Sequence, residues 1–328
     1  MRLEILSACP DFIRDFLTYN EIIKGKSSKS VEQYYSDLRT FFRYILLVRG
    51  KAQPGIPFNK IDISGVDIEL VRSVTVSDIY GFMVYCKEEL RNNTATRARK
   101  TSTLRLFFKY MSVQTHRLES NPADLLEAPK IKQSLPKYLS LEDSLELLNS
   151  VDGENERRDY CILTIFLNCG LRLSELCGLN LSDISSDGTM TVTGKGNKER
   201  MVYLNDSCKT AIKRYLEVRP HEGLTAESKN ALFISRNRKR ISPRTVEHIV
   251  TSYIKKAGLD GKGLSTHKLR HTAATLMYQH GHVDIRVLKD ILGHANLGTT
   301  QIYTHVSDEQ IKAAIDSNPL SSVRDKSK

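Results

Sequence analysis

Tryptophan is missing altogether from the 328 residues, and cysteine is scarce, at six. No C-x-x-C pair occurs; Cys161, Cys169 and Cys177 instead recur at steps of eight inside apolar, helical text. That spacing argues against a disulfide framework and predicts buried thiols in a reducing, cytoplasmic compartment. The amino terminus lacks the apolar core of a signal peptide, because Pro10, Asp11 and Arg14 interrupt it. The longest apolar run, residues 160–171, is too short and too broken to cross a bilayer, so no membrane partner is expected. Repeats with the period of a solenoid or propeller are absent too.

What is present is a basic, core-forming chain. Hydrophobic residues make up 40%, which is enough for packed domains and excludes global disorder. The formal charge is +11, with a basic excess in both halves. A surface of that sign suits a polyanionic partner, although a merely basic protein would look the same.

Apolar spacing predicts two mostly helical domains. Phe12, Phe16, Tyr19 and Ile23 fall at helical intervals, and residues 30–47 continue with Val31, Tyr34, Tyr35, Leu38, Phe41, Phe42 and Ile45. Residues 50–65, with Pro54 and Pro57, read as a loop. Helical text resumes at 77–90 and 94–111. Residues 128–138, with Pro129 and Pro136 around basic and polar residues, read as an extended linker between a domain over 1–127 and one over 139–318. Residues 319–328 read as a flexible tail.

Past the linker, Ser140 is a candidate N-cap. Residues 159–168 form an apolar helix closed by Gly170. Residues 189–193 and 199–204 alternate like two strands around Gly194-Lys195-Gly196-Asn197, a hairpin signal. Ser242-Pro243 opens a further helix. Thr266 and Asp284 read as caps of two more, ended by Gly281 and Gly293. Ser307 and Gln310 form a capping box for a last short helix.

Five short segments stand out. They are Gly170-Leu171-Arg172-Leu173-Ser174-Glu175, the run from Gly194 through Lys195 to Arg200, His267-Lys268-Leu269-Arg270-His271, Leu292-Gly293-His294, and Thr299-Thr300-Gln301-Ile302-Tyr303. Each alone has a bland reading. An arginine beside a helix ordinarily makes a surface ion pair, a glycine-flanked lysine ordinarily marks a turn, and a histidine or tyrosine ordinarily packs.

Together and in this order, the five resemble the tyrosine recombinase (phage integrase) family, with the segments around Lys195, His294 and Tyr303 most like its Xer-type members. The resemblance runs through the second domain and is looser in the first. It implies a mainly α protein in which an N-terminal helical, SAM-like core-binding domain and a C-terminal α+β catalytic domain with a small antiparallel sheet form a C-shaped clamp on DNA. It implies Tyr303 as nucleophile, Arg172 and Arg270 as the phosphate-holding pair, Lys195 as general acid, His267 and His294 as further phosphate and proton-handling groups, and Glu175 as the acid that orients them. His271 reads as structural.

The chemistry fits these residue types. A phosphodiester under attack carries negative charge on its non-bridging oxygens, and guanidinium groups offer planar donors that stay charged. A phosphotyrosine link stores the bond for rejoining, so no cofactor, metal or ATP is required.

Two rival sites are weaker. His267 and His271 have zinc-like spacing, but Lys268 stands where a zincin has glutamate, and Arg270 would repel a cation. Residues 258–263 open like a P-loop, but Leu264 and Ser265 follow where Lys and Ser or Thr are needed.

Residues 94–109 carry Arg97, Arg99, Lys100 and Arg105 among Thr and Ser, which reads as a DNA-facing helix rather than a merely solvated one. The expected partners are double-stranded DNA and further copies of the chain, four on two DNA sites, with a paralogous recombinase left open. Residues 50–65 depart from the compact family pattern, and the sequence begins directly with core-binding text, as in the simple Xer-like plan. An integrase of a mobile element, a type IB topoisomerase and a catalytically dead DNA-binding protein remain alternatives to a resolver of chromosome or plasmid dimers.

Overall fold

The computed structural model describes residues 9–129, 137–194, 197–281 and 283–293. The chain divides into two compact units, Met1–Gln133 and Ser134–Lys328.

The first unit is helical. Helix α1 (Asp11–Thr18) widens into a π-turn over Tyr19–Ile23. Helix α2 (Ser28–Val48) starts where the Ser27 side chain accepts a hydrogen bond from the Ser30 amide. After residues 50–65 come α3 (Ile68–Arg72), α4 (Val76–Glu88) and α5 (Thr94–Lys109). Thr75 and Asp78 form a capping box on α4, and Asn93 caps α5. The core is aromatic: Phe12, Phe16, Phe41, Phe42, Phe82, Phe107 and Phe108 are buried, and most of their ring contacts are edge-on. The 50–65 loop is packed rather than loose. Its Ile61 and Ile63 are buried, and Arg43 Nε on α2 donates to the Ile61 carbonyl at 2.7 Å.

In the second unit, α6 (Leu141–Asn149) is capped by Ser140. It is followed by α7 (Glu156–Cys169), a helix buried nearly all round, as its apolar text requires. Then come α8 (Leu173–Gly178) and the hairpin of β1 (Thr189–Thr193) and β2 (Glu199–Tyr203), antiparallel with Val192 opposite Arg200. Helices α9 (Asp206–Leu216), α10 (Pro243–Lys256), α11 (Thr266–Gln279) and α12 (Ile285–Leu292) complete it. Helices α9 and α11 pack on α7, and one apolar core joins α7, the hairpin, α9 and α10.

The fold is mainly α with a two-stranded sheet among the described residues. All six cysteines are buried free thiols, with Cys169 and Cys208 Sγ 3.7 Å apart. Helix α11 corrects one expectation. Its N-cap is Ser265, and Thr266 is already inside the helix with its side chain buried. No helix among the described residues is long and apolar enough to cross a membrane. The anticipated linker falls largely on residues 130–136, and the last helix and tail on residues beyond 293, all outside the described residues.

Candidate active site

Helix α7 ends at Gly170 in the left-handed conformation, with φ +60°. The position needs glycine twice over. A side chain there would be strained at that φ, and its Cβ would lie 2.8 Å from Leu292 Cδ2. The tight exit turns the chain at once into Arg172, which stands at the N-cap of α8.

Glu175, one turn into α8, is the centre of the site. Its side chain is 1% exposed. Its carboxylate accepts from the Arg172 amide at 2.8 Å and the Arg172 guanidinium at 2.7 Å. From the other side it accepts two bonds from Arg200, Nη1 to Oε1 and Nη2 to Oε2, each 2.9 Å. Arg270 Nη1 lies 3.8 Å from the same carboxylate. Burial alone would push the Glu175 carboxyl up; the bonds from Arg200 and from Arg172 outweigh it and hold it down to about 2. The carboxylate is therefore ionised at any working pH, and three guanidinium groups surround one negative charge.

The same three arginines grip the end of α12. Arg200 Nε donates to the Ile291 carbonyl at 3.2 Å, Arg270 Nη2 to that of Leu292 at 2.6 Å, and Arg172 Nη2 to that of Gly293 at 3.1 Å. These are successive carbonyls at a helix C-terminus, where no intrahelical donors remain, and cations are favoured there. Gly293, with φ +63°, ends the helix immediately before His294 in the chain. Arg270 also donates to the Gly170 carbonyl at 2.6 Å, closing the loop between the exit of α7, α11 and α12.

Exposure separates the two arginines that the sequence pairs. The Arg172 side chain is 36% exposed and Arg270 only 3%. Arg172 thus offers a guanidinium edge to an anion arriving from solvent, while Arg270 is fixed within the wall behind it. His267, one turn before Arg270 on α11, is exposed, and its ring meets that of buried His271 edge-on at 4.5 Å. Desolvation, then Arg270, Lys268 and Arg172, lower the His267 pKa. His271 is lowered to about 4, again mainly by burial, and stays neutral.

The structure therefore brings Arg172, Glu175, Arg270 and His267 into one region. Lys195, His294 and Tyr303 lie outside the described residues. Sequence reasoning passed over Arg200. A signal was there: along β2 the inward phase is Arg200 and Val202, so a charged residue occupies an apolar position of the strand.

On the first unit, the basic helix α5 does not present one face. Arg105 is exposed, whereas Arg97 is half-buried and donates to the Asn92 carbonyl at 3.1 Å. Lys100 is a correction to the expected outward stripe. Its side chain is 8% exposed and its ammonium sits 3.3 Å from the buried Asp37 carboxylate of α2. Arg99 pairs with the same carboxylate while staying 40% exposed, and Thr103 Oγ1 donates to it at 2.9 Å. Helical rotation explains the split, since Lys100, Thr103 and Leu104 share the core side of the helix.

Comparison with known proteins places the site in context. The phage integrase family profile matches residues 137–310. Tyrosine recombinase XerC of Caldanaerobacter subterraneus subsp. tengcongensis is 49% identical over 95% of this chain and 88% of its own length. Tyrosine recombinase XerD of Proteus mirabilis is 36% identical over 84% of this chain and 90% of its own. Among solved structures, the XerH site-specific recombinase bound to its difH substrate superposes with a TM-score of 0.67 at 22% identity, covering 93% of this chain and 84% of that one. The last likeness speaks for the fold.

Proposed function

The chain belongs to the phage integrase family, and on that premise we propose that it is an Xer-like site-specific tyrosine recombinase that resolves chromosome or plasmid dimers in the cytoplasm. The observation that carries the reading is the arrangement of Arg172 and Arg270 around the ionised Glu175, with Arg172 partly open to solvent.

Arg172 takes a non-bridging oxygen of the scissile phosphate of double-stranded DNA at its open edge, and Arg270 joins it by exchanging its bonds to the Gly170 and Leu292 carbonyls for the phosphate, with Glu175 fixing the geometry of the pair. The Tyr303 hydroxyl oxygen attacks phosphorus as its proton passes to His267, whose lowered pKa leaves the ring neutral and able to accept. The bond from phosphorus to the 5′ oxygen breaks, and Lys195 donates the proton that completes the 5′ hydroxyl. His294 adds a donor to a non-bridging oxygen. The product is a 3′-phosphotyrosine, which a 5′ hydroxyl of the partner strand later attacks in the reverse sense. Metal and cofactor are not needed in this scheme.

Residues 1–127 supply the core-binding domain and 139–318 the catalytic domain. Four copies assemble on two sites, alone or with a paralogous recombinase; the XerC and XerD names of the relatives leave both arrangements open. Tyr303→Phe tests the reading. DNA recovered from cells with the wild-type protein attached defines the site. On that DNA the variant should bind as the wild type does and give no adduct on denaturing gels. An adduct formed by the variant, or none formed by the wild type, would overturn the reading.

A further inference from the structure

We propose that Arg200 is a positioning residue for strand cleavage. It pins the turn end of the β1–β2 hairpin, whose turn carries Lys195, onto the Glu175 carboxylate and onto the last turn of α12. The proposal rests on the recombinase reading above, in which Lys195 protonates the leaving 5′ oxygen.

Every nitrogen of the Arg200 guanidinium is engaged: Nη1 and Nη2 on Glu175 at 2.9 Å, Nε on the Ile291 carbonyl at 3.2 Å. Its side chain is only 14% exposed. These bonds point inward, so Arg200 is a fastening and not a phosphate ligand. A bidentate guanidinium fixes an angle as well as a distance, which an ammonium does not.

The hairpin is held differently along its length. Met190 and Val202 anchor its base in the core, and Val192, opposite Arg200, carries that core up to the level of the arginine. Towards the turn, Gly194 donates to the Lys198 carbonyl at 2.7 Å. A Cβ on Gly194 would lie 3.5 Å from Glu175 Oε1 and 3.9 Å from Arg200 Nη1, so the backbone next to Lys195 rests on the ion pair itself. A two-stranded ribbon has little stability of its own, and past Val192 and Arg200 the described residues Thr193, Gly194 and Glu199 add nothing to that core, so the fastening lies where core packing stops. Gly293 fits the same picture, since a Cβ there would meet Arg200 Cδ at 3.0 Å.

Removing Arg200 would not release Arg172. That residue keeps its own bonds to Glu175, at 2.7 and 2.8 Å, and to the Gly293 carbonyl. What loses its fastening is the hairpin, in the described residues that flank its turn. The defect should therefore fall on the leaving-group step and not on the grip of the phosphate.

The test compares Arg200→Lys and Arg200→Gln with the wild type on two synthetic duplexes of the mapped site. One has the natural scissile phosphate and the other a 5′-bridging sulfur, which leaves as a thiolate and needs no proton. Adduct formation is timed below each variant's own melting transition. On the oxygen duplex both variants should be slower by about 10–100-fold, the usual effect of losing a group that orients a reacting one. On the sulfur duplex the deficit should shrink to within about threefold. An equal deficit on both duplexes, a wild-type rate on both, or loss of folding in both variants would overturn the positioning role. Failure of the wild type to form an adduct on either duplex would instead sink the recombinase reading.

Discussion

Glu175 shows how one side chain can organise several others. Its carboxylate balances part of the charge of Arg172, Arg200 and Arg270, and none of these could be packed so closely without it. The folded value of about 2 lies below the ordinary 4.5 of a glutamate, so its ionisation stabilises the fold above about pH 4.5 and that stabilisation is lost as pH falls towards 2. The difference corresponds to about 3 kcal/mol. Glu175→Gln keeps the shape and removes the charge. Its melting temperature at neutral pH should drop by the equivalent of about 3–5 kcal/mol, as for a broken buried pair. Between pH 4.5 and 2 the wild type should lose stability more steeply than the variant. Parallel melting curves across that range would show that Glu175 is not the group that titrates.

Glycine exits and helix faces decide how the elements are placed. Gly170→Ala should cost on the order of 1–3 kcal/mol, because it meets both a left-handed φ and the Leu292 side chain. A denaturant midpoint unchanged by the substitution would mean that α12 moves aside freely. Much of this level was legible in the sequence. The buried run of α7, the αL glycines at 170 and 293, the hairpin around residues 194–197 and the caps at Ser140, Ser242 and Asp284 all follow from local spacing. What was missed is either very short or depends on distant partners. The single-turn α3 is too short for a period to show. Nothing near Lys100 announces that it turns inward to Asp37, which lies 63 residues earlier in the chain. Arg200 and Glu175, 25 residues apart, are likewise joined only by the fold. The split of α5 narrows the proposed DNA contact to Arg97, Arg99 and Arg105. Replacing Arg97 and Arg99 together by Ala should weaken DNA binding and lower its salt slope by about one unit per lost phosphate contact. An unchanged slope and affinity would leave both arginines to their contacts with Asn92 and Asp37 alone.

In the proposed assembly on DNA, cleavage in one copy would be tied to the presence of another. Residues 307–315 lie outside the described residues, and docking of this segment on a neighbouring copy is a proposal that rests on the family resemblance. Ser307 and Gln310 have capping-box spacing, and Ile311, Ala314 and Ile315 make a short apolar stripe. A helix of two to three turns is marginal alone in water, so the stripe requires a surface to cover it. Docking on its own catalytic domain would stabilise one copy without informing it about its neighbours. Docking on the next copy would make the placement of Tyr303, only a few residues upstream, depend on a partner being bound. A cycle of such contacts would also restrict how many copies cut at once. Truncation after Val306 separates the two. If the helix docks on a neighbour, the shortened protein should bind a single half-site with nearly normal affinity, lose cooperativity for the second copy on a full site, and show altered adduct formation on full sites. Gel-shift titrations on half and full sites, read beside adduct yields, measure all three. Cooperative binding and recombination at the wild-type rate in the truncated protein would show that this segment couples no subunits.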